Sequence, residues 1–264
     1  MIQYLYLGRV DYDEGLRLQA EITALRLAGR VHNVLLLLEH PPVLTLGRNA
    51  HRSNVLASDE FLQQRGVSIH EINRGGDVTY HGPGQLVGYP IFDLRSLRNP
   101  SGNRLGPVDY VRRMEEALIR LCGVYGVQAE RIPGLTGVWC DHESGRKIAA
   151  IGVHVSRGIT SHGFAFNVTT DLRDFQLIIP CGIADHGVTS LAEQVRDASA
   201  LPPLESIAHQ AARQFGLVFG EQVLAVENLD ALRRQAGSLA EDTPLTVPSE
   251  VERLAGEPEH PVRA

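Results

Sequence analysis

Lysine is almost absent from this chain. Of 25 Lys and Arg side chains in 264 residues, 24 are arginine and one, Lys147, is lysine. Cysteine is scarce as well: three residues, an odd number widely spaced, exclude a disulfide framework and fit a reducing compartment, so a cytoplasmic location is expected. No run approaches the roughly 20 apolar residues of a bilayer span, and MIQYLYLGRVDYDEG lacks the basic-then-apolar pattern of a secretory signal. Neither a membrane nor an export route is therefore expected. A net charge of −6 gives no electrostatic case for nucleic acid as a main partner. No G-x-G-x-x-G follows the first strand pattern and no G-x-x-x-x-G-K-[ST] occurs, so dinucleotide and P-loop binding have no support. The 11 histidines form no H-x-x-x-H pair and the cysteines no C-x-x-C, so no metal site is expected. His154 and His162 are the one pair that a hairpin would place face to face.

What remains is an ordinary globular composition, 43% hydrophobic and 21% charged, long enough to bury a sizeable core. IQYLYLG reads as a strand and residues 13–28 as a helix. VLLLL at 34–38 reads as a strand buried on both faces, and PPVLTLG as a turn followed by a second short strand. A short helix over 59–65 and a strand over 67–73 precede a glycine-rich stretch and a further strand running to about residue 94. A loop over 96–107 leads to a helix over 110–125 with Asp109 as its N-cap. Strands at 147–155 and 162–168 pair around SRGIT, and a helix covers 203–215 with Pro203 in its first turn. Strands and helices alternate with hairpins as well as crossovers. The expectation is an α/β (α+β) fold with a mixed sheet, in a domain over 1–219 followed by a partly mobile extension over 220–264.

RGGDVTYHGPGQLVGYP, residues 74–90, places an arginine, a histidine and a glutamine among five glycines. A bare hairpin turn needs none of the three side chains. A groove that admits something long and apolar explains both features, because glycines clear its floor while Arg74, His81 and Gln85 serve a polar end. Among the cysteines, Cys122 sits on the apolar face of a helix pattern and Cys140 ends a strand before a polar turn. Cys181, in LIIPCGIADHG, is displayed after an apolar run between proline and glycine. Such a thiol is equally an idle buried side chain or a nucleophile. A nucleophile must ionise, and a nearby ammonium favours the thiolate. Lys147 is the one ammonium side chain available, and unlike arginine it can exchange its proton.

These residues carry a resemblance. RGGDVTYHGPGQLVGYPIFDL is similar to the signature of the octanoyltransferases of lipoate synthesis, the lipoyl(octanoyl) transferases. EHPPVLTLGR, GVWCD, RKIAAIGVHVSRGITSHGFAFNV, IIPCGI and GVTSL stand in that family's order, so the likeness covers roughly residues 39–191. The resemblance implies the mixed-sheet domain of the biotin/lipoate protein ligase type. It implies transfer of an octanoyl group from the phosphopantetheine thioester of octanoyl-acyl carrier protein to one lysine of a lipoyl domain. Those domains belong to E2 subunits of 2-oxoacid dehydrogenases and to the glycine-cleavage H protein. It implies a thioester on Cys181 assisted by Lys147, with no ATP and no metal. Its substrate-binding segments fall on Arg74, Gly75, Gly76, Asp77, Val78, Thr79, Tyr80 and His81, on Ala150, Ile151 and Gly152, and on Gly163, Phe164 and Ala165. An ATP-dependent lipoate or biotin ligase and a non-enzymatic acyl-binding module are the rival readings. Acyl carriers are acidic, which makes Arg112, Arg113 and Arg120 candidates for a basic docking surface.

Overall fold

The run VLLLL forms the centre of β2 (Asn33–Glu39), and five consecutive fully buried side chains, Val34 to Leu38, require cover on both faces. The computed structural model describes residues 1–99, 101–141, 145–179 and 186–238. In it Leu35 and Leu37 face a core built with α3 (Pro107–Val124) and α5 (Leu204–Phe219). Leu36 and Leu38 face another, built with α1 (Tyr12–Leu27) and α6 (Leu229–Ser238). Strand alternation thus assigns two helices to each side of the sheet.

The remaining strands of that sheet are β1 (Ile2–Arg9), β6 (Gln85–Ile91), β7 (Glu130–Ile132), β8 (Leu135–Cys140), β9 (Arg146–Ser156), β10 (Ile159–Asn167) and β11 (Val223–Ala225). Their order is β11-β1-β2-β6-β10-β9-β8-β7. β1 runs parallel to both β2 and β11, and every other neighbouring pair is antiparallel. The expected mixed sheet is observed. A smaller sheet places β3 (Val43–Leu46) between β4 (Ser68–Glu71) and β5 (Val78–His81). Leu62 of α2 (Asp59–Gln64) and Phe175, Leu177 and Ile178 back this sheet with their own apolar cluster. The short α4 (Leu191–Gln194), capped by the Ser190 hydroxyl, follows the described chain after His186.

Several boundaries differ from expectation for local reasons. α3 begins at Pro107 with Gly106 as its cap, so Asp109 lies inside the first turn, where its charge still favours the helix N-terminus. α5 begins after Pro203 and continues to Phe219, which packs edge-on against Phe92 and Tyr110. Gly220 at φ 68° then ends it in the left-handed conformation. Residues 220–238 add β11 to the sheet edge and place Val226, Leu232 and Ala236 in the α1-side core. Along the β9–β10 hairpin, His154 pairs with Ser161 and His162 with Val153, so the two histidines are offset by one position. No helix among the described residues is long and apolar enough to cross a membrane.

Candidate active site

The loop between β4 and β5 crosses from the small sheet to the large one. Gly75 N–H donates to the Val153 carbonyl at 3.0 Å, and a Cβ on Gly152 would lie 2.6 Å from the Gly75 carbonyl oxygen. The close approach therefore demands glycine at 152. Arg74 fastens the other side of the loop. Its guanidinium donates to the Thr45 carbonyl at 2.7 Å, to the Thr45 hydroxyl at 2.9 and 3.2 Å, and to the Gly75 carbonyl at 3.0 Å. A planar fork makes this set of bonds where a point ammonium would not.

Beneath this loop lies a cleft enclosing about 480 Å³ of empty space, part of it open to solvent. Arg74, Gly76, Asp77, Val78, Thr79 and His81 line one side, and Ala150, Ile151, Gly152, Gly163, Phe164 and Ala165 the other. The three segments named from sequence therefore meet around one space. Two of their members do not line it. Gly75 is bonded to β9, and Tyr80 points into the small sheet's core, where its hydroxyl donates to Asp174 at 2.7 Å.

Sequence reasoning missed Tyr12, Tyr89 and His162, which complete the wall. Tyr12 is the first residue of α1 and stacks on His81, with ring centroids 6.1 Å apart. Tyr89 donates to His40 Nε2 at 2.7 Å, while His40 Nδ1–H donates to the Val10 carbonyl at 2.6 Å. The histidine beside Gly163 in SHGFAF was the one available signal.

The histidines and tyrosines of the cleft are held uncharged. Burial lowers His81 to about 3, helped by the neighbouring His40, and lowers His162 to about 3, helped by the Arg74 charge. Burial lowers His40 to about 4 and raises Tyr12 and Tyr89. Such a lining suits an apolar occupant with a few directional polar groups at its edge. His81 Nδ1–H donates to Gln85 Oε1 at 2.8 Å, an assignment fixed by Gln85 Nε2 donating to Tyr80 O and to Asn167 Oδ1. Asn167 Nδ2 in turn donates to the Thr189 carbonyl at 2.9 Å. A buried polar chain thus runs from the cleft to the segment after His186.

That segment meets Lys147. Lys147 N–H donates to Gly187 O and Lys147 O accepts from Thr189 N–H, both at 2.9 Å. The Lys147 ammonium lies 4.5 Å from the centre of the Trp139 ring. Cys181 lies outside the described residues. The described chain before it ends at Ile179, whose N–H bonds Asn54 O at 2.8 Å. It resumes at His186, whose ring meets Trp139 edge-on at 5.3 Å. Cys122 and Cys140 are both buried, and burial raises both thiols, Cys140 to about 12. Burial thus disfavours the thiolate at both. The α3 arginines are largely committed. Arg112 pairs with Glu115 at 2.7 Å and Arg120 with Glu116 at 2.9 Å, while Arg113 donates to Arg98 O.

A family model described as the lipoyl protein ligase A/B catalytic domain matches residues 11–215. An octanoyltransferase of Acidobacterium capsulatum is 61% identical over 91% of this chain and 99% of its own. The chain belongs to the octanoyltransferase family. It is an acyltransferase. A second family member, from Koribacter versatilis, is 53% identical over 96% of this chain and 97% of its own. Among solved structures, an archaeal bipartite lipoate protein ligase from Thermoplasma acidophilum superposes with a TM-score of 0.66 at 15% identity, covering 90% of this chain and 92% of that one. This chain shares with it the ligase-type fold.

Proposed function

We propose that this acyltransferase moves an octanoyl group from octanoyl-acyl carrier protein to a lysine of lipoyl domains, by way of a thioester on Cys181. The observation that carries the reading is that Lys147 and the cleft residues Ala150 and Gly152 lie on one face of β9. Ile148 and Ala149 are both buried in the α3–α5 core, while Lys147 pairs with Trp139 on the opposite side. The octanoyl chain lies in the cleft along Ala150, Gly152 and Ala165, with its reactive carbonyl at the end nearer Lys147.

In the first half-reaction the Cys181 thiolate, favoured by the Lys147 ammonium, adds to the carrier thioester. The C–S bond to phosphopantetheine breaks, and the departing thiolate takes its proton from the Lys147 ammonium, which leaves Lys147 a neutral amine. In the second, the neutral ε-amine of the acceptor lysine adds to the octanoyl-Cys181 carbonyl. Cys181 leaves as thiolate, an amide forms, and Lys147 carries away the proton the amine loses. The thioester supplies the driving force, so neither ATP nor a metal enters. The acceptors on this reading are the lipoyl domains of E2 subunits and the glycine-cleavage H protein, and the reaction takes place in the cytoplasm.

Intact-protein mass spectrometry after mixing with octanoyl-acyl carrier protein, without ATP, tests the reading. A single octanoyl adduct is expected, absent in Cys181→Ser and discharged by an apo-lipoyl domain. Product formation only with ATP and free octanoate would replace the transferase by a ligase.

A further inference from the structure

Lys147 reaches the cleft's face through an irregularity in the sheet. Between β8 and β9 the register runs Val138–Ala149, then Trp139–Lys147, one step on β8 for two on β9. Ile148 is the extra residue of a β-bulge, a device that re-aims side chains. Val138, Ile148 and Ala149 all join the α3–α5 core. Simple alternation from Ala149 would turn Lys147 into that core too; the bulge turns it to the other side, beside Trp139.

Two residues of β8 then receive the side chain. Gly137, at φ 127°, has no Cβ where one would lie 3.3 Å from Lys147 Cε and 3.6 Å from Cδ. Its N–H, turned out of the ladder, is accepted by the buried Glu115 carboxylate at 3.1 Å. The lysine methylenes lie along this gap and end with the ammonium over the indole, 4.5 Å from its centre. Trp139 is 1% exposed, and its Nε1–H has no hydrogen-bond partner among the described residues. An orphaned donor is a cost that phenylalanine would avoid. What tryptophan offers in exchange is the aromatic face that binds a cation most strongly.

We propose that Trp139 is a positioning residue for Lys147: the Ile148 bulge delivers the lysine to the cleft's face, Gly137 clears its path, and the indole fixes its ammonium. The proposal rests on the reading of Lys147 given above. His186, edge-on to the indole from the segment that bonds the Lys147 backbone, completes the setting, and Arg146, next along β9, is engaged by Asp141 at 2.6 Å and Glu193 at 3.0 Å.

Because the chain has a single lysine, protein grown on 13C-lysine gives a single Cε–Hε resonance to follow. In the intact wild-type protein this resonance is expected upfield of its position in urea, through the indole ring current. In Trp139→Leu it returns to the urea position, and kcat for octanoyl transfer falls about tenfold, the scale of one desolvated cation–π contact. KM for the apo-lipoyl domain stays within about twofold, since binding surface is untouched. Trp139→Phe, which keeps a ring, retains part of the upfield shift and most of kcat. Thermal melts by circular dichroism separate these effects from loss of fold. A Lys147 resonance that does not move in a folded Trp139→Leu protein overturns the proposal, as do equal kcat losses in the Leu and Phe variants. Lys147→Met retaining full transfer activity would instead overturn the catalytic reading of Lys147, whatever the resonance does.

Discussion

Gln19 Oε1, on α1, accepts the backbone N–H of His162 at 2.7 Å. His162 sits in β10 at φ 55°, in the left-handed region, next to the cleft residue Gly163. Its N–H has left the sheet ladder, and a helix side chain satisfies it. Gln19→Leu is expected to lower stability by about 1–2 kcal/mol, because the orphaned N–H stays buried while the unpartnered Gln19 amide disappears. Urea unfolding checks this: the midpoint falls with an unchanged slope. A midpoint equal to wild type would mean that His162 finds another acceptor.

Stability should fall steadily on mild acidification. His81 and His162 titrate at about 3 and His40 at about 4 in the folded protein, all held down chiefly by burial. In the unfolded chain they titrate near 6.5. Below that value the unfolded state binds more protons, so the stability present above about pH 6.5 is lost as pH drops towards the folded values. Each histidine contributes up to about 1.4 kcal/mol per pH unit over that window. Urea midpoints at pH 7.5 and 5.5 test the sign, and equal midpoints would show that these rings are not excluded from protons.

Arg74→Lys should be far from conservative. The substitution abandons the forked bonds to Thr45 and Gly75 and loosens the loop that roofs the cleft. We expect octanoyl transfer to lose at least about tenfold in kcat/KM, with about 1–3 kcal/mol of stability. Steady-state kinetics beside thermal melts make the comparison.

Ala165 and Ala150 face one another across β10 and β9 on the cleft's wall. Ala165→Leu adds three carbons' bulk where the chain would lie. Octanoyl transfer is expected to fall by about tenfold or more while butanoyl or hexanoyl transfer falls less, since one or two methylenes are worth about 1–3 kcal/mol in such a pocket. Competition between acyl carriers of different chain length, read by product mass, measures the shift.

The cleft's glycines and the three segments around it were legible because close backbone approach leaves a compositional trace: only glycine tolerates position 152. The β5 alternation hidden inside DVTYH is less so: the motif places Tyr80 with the cleft residues, whereas the pleat sends it to the small sheet's core. Tyr12 and Gln19 carry no motif. They are polar residues on the buried side of α1, and nothing in sequence tells a buried polar face from a solvated one. The direction of Lys147 is equally hidden, since IAA at 148–150 reads as uninterrupted strand and the bulge that reverses parity depends on β8. Arg112 and Arg120 show the same limit from the other side: charge is visible in sequence, whereas the glutamates that absorb it are a matter of α3 geometry.

The buried seat of the lone lysine has a consequence for the molecule's own surface. Enzymes that handle activated acyl groups risk labelling themselves, and the vulnerable groups are free side-chain amines. Here 24 of the 25 basic residues of lysine or arginine type carry guanidinium groups, which stay protonated and do not react, and the remaining one, Lys147, is buried. The protein keeps its cationic side chains while presenting no lysine amine on its surface to an activated acyl group.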